Sequence, residues 1–299
     1  MSVPLSFQVA WLVRLTTGLL FRAVCIFMAS LHRFADASRP LVFAHRGGSG
    51  LAPENTVAAF DHGLALGADG LELDVHLSRD GRAVVHHDAH LERTTNGSGP
   101  IAARSVQELA QIDAGYRFCR DGDFPFRGRG LCVPTLAGVL ERYAAARIII
   151  ELKNGTEALA RAALEEVRRA NALDRVCFAG EHASGLRVIR RLEPAAATSA
   201  AREEIRRALV RSWISLPAGG AGVVAFQVPE TKGPLRIVSP RFVRAAHRAG
   251  RVVQVWTVDR AEDMRRLLGW GADGIITDRP DVAVEVVRKW LAGRPPEPT

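Results

Sequence analysis

The chain has 299 residues, 47% of them hydrophobic, and a formal net charge of +8, so it can bury a sizeable core as one large barrel or two average domains. Lys153, Lys232 and Lys289 are its only lysines; the arginine excess suits an anionic substrate or membrane surface, or plain arginine usage, and its scatter without an aromatic-interleaved stripe excludes nucleic acid as the expected partner. Cys25, Cys119, Cys132 and Cys177 lack CxxC or Cys/His spacing, which excludes a thiolate metal centre and leaves only a Cys119–Cys132 pair to consider in an oxidising compartment.

Residues 1–38 form an N-terminal apolar segment, with Phe7, Trp11, Leu12, Leu19, Leu20, Phe21, Ile26 and Phe27 concentrated in residues 5–31 and interrupted by Arg14 and Arg22. A central Arg opposes membrane insertion by about 2.5–3.5 kcal/mol, whereas each Leu, Ile, Phe or Val favours it by only about 0.3–0.6. An interfacial anchor lying on a membrane surface is therefore the expectation. A cleaved signal ending near Ala35-Asp36-Ala37, which would make the protein secreted, and a helix packed on the rest of a cytoplasmic protein are the alternatives.

From Leu41 onward short apolar runs alternate with amphipathic stretches, the rhythm of a parallel βα sheet. Strands are predicted at Leu41–His45, Gly70–Val75, Ala83–His86, Arg147–Leu152, Arg175–Ala179, Ala195–Ser199, Gly222–Val228, Arg251–Val258 and Gly274–Thr277. Ser78-Arg79-Asp80-Gly81 is too short for a crossover helix, so Ala83–His86 folds back on the strand before it. Eight strands then remain for a TIM (β/α)8-type barrel spanning residues 39–292. Helices are predicted at Thr56–Leu66, Glu157–Ala170, Gly185–Leu192, Glu203–Trp213, Pro240–Ala249, Ala261–Leu268 and Asp281–Leu291. Residues 91–135 break the rhythm with Gly, Pro, Asp and Arg and are read as a loop insertion after the second strand, over the strand ends. The proline-rich tail 293–299 is expected to be disordered.

Chemistry gathers at the predicted strand ends. Glu72 and Asp74 are two apart in one strand, so both carboxylates project from one face, where they need a cation or a shared proton. Glu151 and Lys153 repeat that spacing after Ile148-Ile149-Ile150. In a barrel the carboxyl ends of the strands converge on one mouth, so Glu72, Asp74 and Glu151 can join around one hard cation, Mg²⁺ or Ca²⁺. His45 closes the first strand and His86-His87 the fold-back strand; histidines there suit an acid and base pair. Of His86 and His87 only one can face the mouth. Arg46 offers a fixed guanidinium fork that suits phosphate oxygens.

His45-Arg46-Gly47-Gly48 through Ala52-Pro53-Glu54-Asn55-Thr56 resembles the opening signature of the glycerophosphodiester phosphodiesterase family. Gly70-Leu71-Glu72-Leu73-Asp74-Val75, Asp80-Gly81 and Val84-Val85-His86-His87-Asp88 resemble its second, continued by Leu91-Glu92-Arg93-Thr94-Thr95-Asn96-Gly97. Pro134-Thr135-Leu136 before a helix, Glu151-Leu152-Lys153, Trp256-Thr257-Val258 and Gly271-Ala272-Asp273-Gly274 to Thr277-Asp278-Arg279-Pro280 agree in order, so the match covers about residues 41–290. The resemblance implies catalytic histidines His45 and His87, metal ligands Glu72, Asp74 and Glu151, phosphate contacts Arg46 and Lys153, and Trp256 against the glycerol moiety. It implies metal-dependent hydrolysis of glycerophosphodiesters to an alcohol and sn-glycerol 3-phosphate, with residues 91–135 capping the site. Asp259 departs from the family's usual Asn, which puts a loop contact in doubt. The apolar segment favours one variant of the activity, a lysophospholipase D acting on lysophospholipids at a membrane. A catalytically silent phosphodiester-binding barrel is the reading from another class.

Overall fold

The apolar runs pair into a closed sheet in the computed structural model, which describes residues 34, 35 and 38–293. Its strands are β1 (Leu41–His45), β2 (Gly70–Leu77), β3 (Ala83–Val85), β4 (Arg147–Leu152), β5 (Val176–Ala179), β6 (Ala197–Ser199), β7 (Val223–Pro229), β8 (Thr231–Lys232), β9 (Leu235–Arg236), β10 (Val252–Trp256) and β11 (Gly274–Thr277). Neighbours run β1-β11-β10-β7-β6-β5-β4-β2, all parallel, and the pairing of β1 with β2 closes the ring into an eight-stranded barrel. Strand β3 pairs antiparallel with β2, Val75 facing Val85, as its short turn requires. The β8–β9 hairpin was not foreseen; its residues are exposed and carry no apolar alternation for sequence reading to detect.

Alternation along each strand separates two cores. On β4, Ile148 and Ile150 point outward with Leu71 and Leu73 of β2 into the layer beneath the helices. Ile149 points inward and joins Phe43, Cys177, Ala197, Ala225 and Ile276 in filling the barrel. The inward set on β2 and β4 therefore continues upward as Glu72, Asp74 and Glu151. Phe34, which the sequence reading places in the N-terminal segment, is fully buried in this inner core, its amide donating to Asp174 O at 3.2 Å. Barrel packing thus begins before residue 38. The rest of the apolar segment, including residues 5–31, lies outside the described residues, as does the tail from 294.

Helices Val57–Ala65, Leu136–Arg142, Glu157–Arg169, Ala183–Leu192, Arg202–Trp213, Pro240–His247, Ala261–Gly269 and Pro280–Ala292 surround the sheet. Glu157–Arg169 shows why: Leu159, Ala160, Ala163, Leu164 and Val167 recur three and four apart and are buried, while the opposite face is charged. Full burial of each Leu contributes about 1.5–3 kcal/mol. Helix starts follow side-chain caps, with Thr56 accepting from Ala59 N and Ser239 from Phe242 N ahead of Pro240. Residues 91–135 hold a 3₁₀ turn, Ile101–Ala103, a one-turn helix, Val106–Leu109, and a small core of Leu91, Ile101, Leu109, Ala114 and Val133 closed against Val84. Cys119 and Cys132 are free thiols, so no disulfide staples this insertion.

Candidate active site

Strand register assembles the site. His45 of β1 lies opposite Glu72 of β2, and Asp74 of β2 lies opposite Glu151 of β4. One oxygen from each of Glu72, Asp74 and Glu151 falls within 4.8 Å of the others. Lys153 Nζ stands 3.3 Å from Asp74 Oδ1 and 3.4 Å from Glu151 Oε1. Asn55 Nδ2 donates to Asp74 Oδ2 at 2.8 Å, and Arg46 N donates to Glu72 Oε2 at 3.0 Å. The loop after β1 reaches inward by unusual backbone: Arg46 and Asn55 adopt φ of +51° and +57°, and Gly47 adopts +88°. A Cβ on Gly47 would stand 2.7 Å from Ala59, so glycine is needed where this loop crosses the helix Val57–Ala65.

The carboxylates suit a hard divalent cation and fit badly together without one. Burial and then the neighbouring Asp74 charge push the Glu72 carboxyl up to about 8. Burial and Asp74 raise Glu151 as well, whereas for Asp74 burial is outweighed by Lys153 and Arg46, which lower it. Asp74 Oδ1 is sealed from solvent and accepts no hydrogen bond. An all-oxygen donor set with no thiolate or imidazole in it fits Mg²⁺ or Ca²⁺ chemistry.

Each histidine of the cavity wall has its own carboxylate. His45 Nδ1 is 2.6 Å from Asp278 Oδ1, which also accepts from Ser49 Oγ at 2.5 Å, while Nε2 is 3.8 Å from Glu72 Oε2. Burial disfavours the His45 imidazolium, but Glu72 and Asp278 outweigh it and raise the pKa. His87 Nδ1 is 2.5 Å from Asp88 Oδ1, and burial lowers its pKa. Arg93 fastens Asp88 to Glu54, donating to Asp88 Oδ2 at 2.6 Å and to both Glu54 oxygens at 2.7 Å. Glu54 also accepts from Arg46 at 3.0 Å. His86 turns away from the cavity, and its Nε2 is 3.3 Å from His90 O.

His45, Arg46, Glu72, His87, Glu151, Lys153 and Trp256 line one cavity of about 510 Å³ at the carboxyl ends of the strands. Asp74 sits behind its wall, fully buried. The far wall carries the apolar side chains of Ile205, Leu209, Leu235, Ile237 and Trp256, with Arg202, Arg206 and Lys232 among them. None of residues 91–135 lines this cavity; the insertion stands beside it, with Arg93 bonded to Glu54 and Asp88 and Arg120 to Leu51 O, so it flanks the site where a cap was expected. The wall in that role comes from the helix Arg202–Trp213 and the β8–β9 hairpin. Asp278, Asp88, Glu54 and Asn55 stood inside quoted motifs without a role. A carboxylate at the end of the last strand was the available signal for Asp278. Asp259 accepts from Thr277 Oγ1 at 2.9 Å and Asp278 N at 2.8 Å, so the departure from Asn falls in the turn that presents Asp278.

The profile of the glycerophosphoryl diester phosphodiesterase family matches residues 45–282. A glycerophosphodiester phosphodiesterase of Caldanaerobacter subterraneus subsp. tengcongensis is 34% identical over 257 residues, covering 84% of this chain and 99% of the relative. Among solved structures, a glycerophosphodiester phosphodiesterase of Agrobacterium tumefaciens superposes with a TM-score of 0.68 at 29% identity, over 82% of this chain and 99% of that one. An Oleispira antarctica phosphodiesterase in complex with the product sn-glycerol-3-phosphate gives 0.70 at 26% identity, over 84% of this chain and 97% of that one.

Proposed function

This chain belongs to the glycerophosphoryl diester phosphodiesterase family and is a phosphodiester hydrolase, and on that premise we propose that it cleaves glycerophosphodiesters to an alcohol and sn-glycerol 3-phosphate with one divalent cation at Glu72, Asp74 and Glu151. The observation that carries this reading is the convergence of those carboxylates beside two carboxylate-backed imidazoles. Sn-glycerol-3-phosphate bound to the Oleispira antarctica enzyme supports the product assignment.

Bound there, Mg²⁺ or Ca²⁺ would neutralise charge developing on the phosphoryl oxygens. The protein's own groups do the rest. Arg46 and Lys153 line the cavity on either side of Asp74 and present fixed positive charge to the remaining phosphate oxygens. Asp278 and Asp88 hold the Nδ1 atoms of His45 and His87, which leaves each Nε2 to exchange a proton, one with the attacking hydroxyl or water and one with the departing alkoxide. Trp256 offers a partly exposed ring on the far wall, where the glycerol moiety or the leaving alcohol rests.

The apolar side chains of the far wall favour a second substrate class, diesters that carry a single acyl chain, which would make the enzyme a lysophospholipase D. Comparing kcat/KM for glycerophosphocholine and lysophosphatidylcholine distinguishes the two. We also propose that residues 5–31 hold the chain at a membrane surface. Chelation with excess EDTA is expected to abolish diester hydrolysis, and Mg²⁺ or Ca²⁺ to restore it. Undiminished turnover after verified metal removal, or binding of diesters with no turnover in any metal, would overturn the proposal, the latter in favour of a silent binding barrel.

A further inference from the structure

One surface outside the site stands apart in both charge and apolarity. The C-terminal half of the helix Arg202–Trp213 and the turn after it expose Val210, Trp213, Ile214 and Leu216 to 52%, 56%, 64% and 43%. Large apolar side chains left this open in one contiguous stretch mark an interaction surface. Its charge is one-sided. The helix keeps its acidic residues, Glu203 and Glu204, in the first turn, and from Ile205 to Gly222 the chain has no Asp or Glu but has Arg206, Arg207 and Arg211. The helix Pro240–His247 packs against it, and from Pro240 to Arg251 the sequence again has no acid but has Arg241, Arg244, Arg248 and Arg251.

The arginines of this surface keep their charge uncancelled. Arg168, Arg236, Arg266 and Arg288 each hold a carboxylate, while Arg104, Arg117, Arg120 and Arg127 in the insertion donate to backbone carbonyls. Arg207, Arg211 and Arg248 likewise donate to backbone carbonyls, of Glu203, Pro217 and Ser215, and among the described residues they make no ion pair; here they border exposed apolar side chains. A carbonyl orients a guanidinium without cancelling its charge, so an apolar ridge with a tryptophan is left bordered by positive charge. That pairing is the signature of an element seated in the headgroup region of an anionic bilayer.

We propose that Val210, Trp213, Ile214 and Leu216, with Arg207, Arg211 and Arg248 beside them, form a docking surface for an anionic membrane. Charge complementarity selects that occupant: a protein partner would have to be both apolar and acidic over the same small area, whereas anionic headgroups over acyl chains are both by construction. The surface is separate from residues 5–31 and does not depend on which diester is cleaved.

The test is co-sedimentation of the full chain with phosphatidylcholine vesicles, with and without phosphatidylglycerol. Binding is expected only with phosphatidylglycerol and is expected to weaken as salt rises. The paired change Trp213→Ser, Ile214→Ser should lower vesicle partition tenfold or more, and Arg207→Gln and Arg211→Gln about fivefold each. Turnover of glycerophosphocholine in solution and the melting temperature should stay as in the wild type. Unchanged partition in these variants would overturn the proposal. So would a lowered melting temperature in the paired variant, which would place the ridge under another part of the molecule, or conversion of a wild-type dimer to a monomer, which would identify a second copy as the occupant.

Discussion

His45 and His87 each combine a cavity-facing imidazole with a carboxylate on Nδ1. Replacing either with Ala should lower kcat by about 10²- to 10⁴-fold with the fold retained, the range for loss of a general acid or base. His86→Ala should leave kcat within a fewfold, because His86 faces a backbone carbonyl away from the cavity; comparable losses at His86 and His87 would refute the assignment. The choice between these neighbours shows what sequence alone could reach. Strand alternation says that one of them faces inward, and only the pairing of Val75 with Val85 sets which. Glu72 and Asp74 were legible from the strand period, and Glu151 joined them because strand ends converge at a barrel mouth. Asp278 was not, since its meeting with His45 depends on ring closure between residues more than two hundred positions apart.

At the scale of elements, strands and long helices were legible because each has an apolar face with the proper period. The β8–β9 hairpin and the helix Val106–Leu109 are too short to show one. Arg175, read from sequence as the first residue of a strand, is buried and donates to Leu140 O at 2.9 Å, Tyr143 O at 3.1 Å and Ala146 O at 3.2 Å. It thereby ties Leu140, near the end of the helix Leu136–Arg142, to the turn that leads into β4. Arg175→Met should destabilise the fold by about 3 kcal/mol or more, seen as a lower urea midpoint, because buried acceptors lose a charged donor. The hydrogen bond to Asp273 raises the pKa of His247, which closes the helix Pro240–His247. A raised folded pKa adds stability that is complete below the unfolded value of about 6.5 and lost as pH rises through the folded one. His247→Gln should therefore lower the urea midpoint at about pH 5.5 and leave it nearly unchanged at about pH 8.5. Solvent screening keeps the effect to a few tenths of a kcal/mol.

At the scale of the molecule, the N-terminal segment divides into a part that packs and a part that lies outside the described residues. Deleting residues 1–32 should leave hydrolysis of soluble diesters intact and reduce sedimentation with anionic vesicles, if residues 5–31 anchor the chain. Deleting residues 1–38 removes Phe34 as well and should cost about 3–5 kcal/mol of stability, the usual effect of emptying a buried phenylalanine site. Equal melting temperatures for the two truncations would contradict the packing of Phe34. The helix Arg202–Trp213 joins the cavity to the exposed ridge, lining the one with Arg202, Ile205, Arg206 and Leu209 and carrying the other from Val210 on.

The contact between His45 and Asp278 also ties the first strand to the turn after the last one. During synthesis the ribosome delivers His45 early and Asp278 almost at the end, so a nascent chain carries all three carboxylates and both histidines long before the seam between β1 and β11 can close. The geometry of the site is completed late in translation, and a message truncated ahead of codon 278 yields a polypeptide with Glu72, Asp74 and Glu151 but no Asp278 to orient His45.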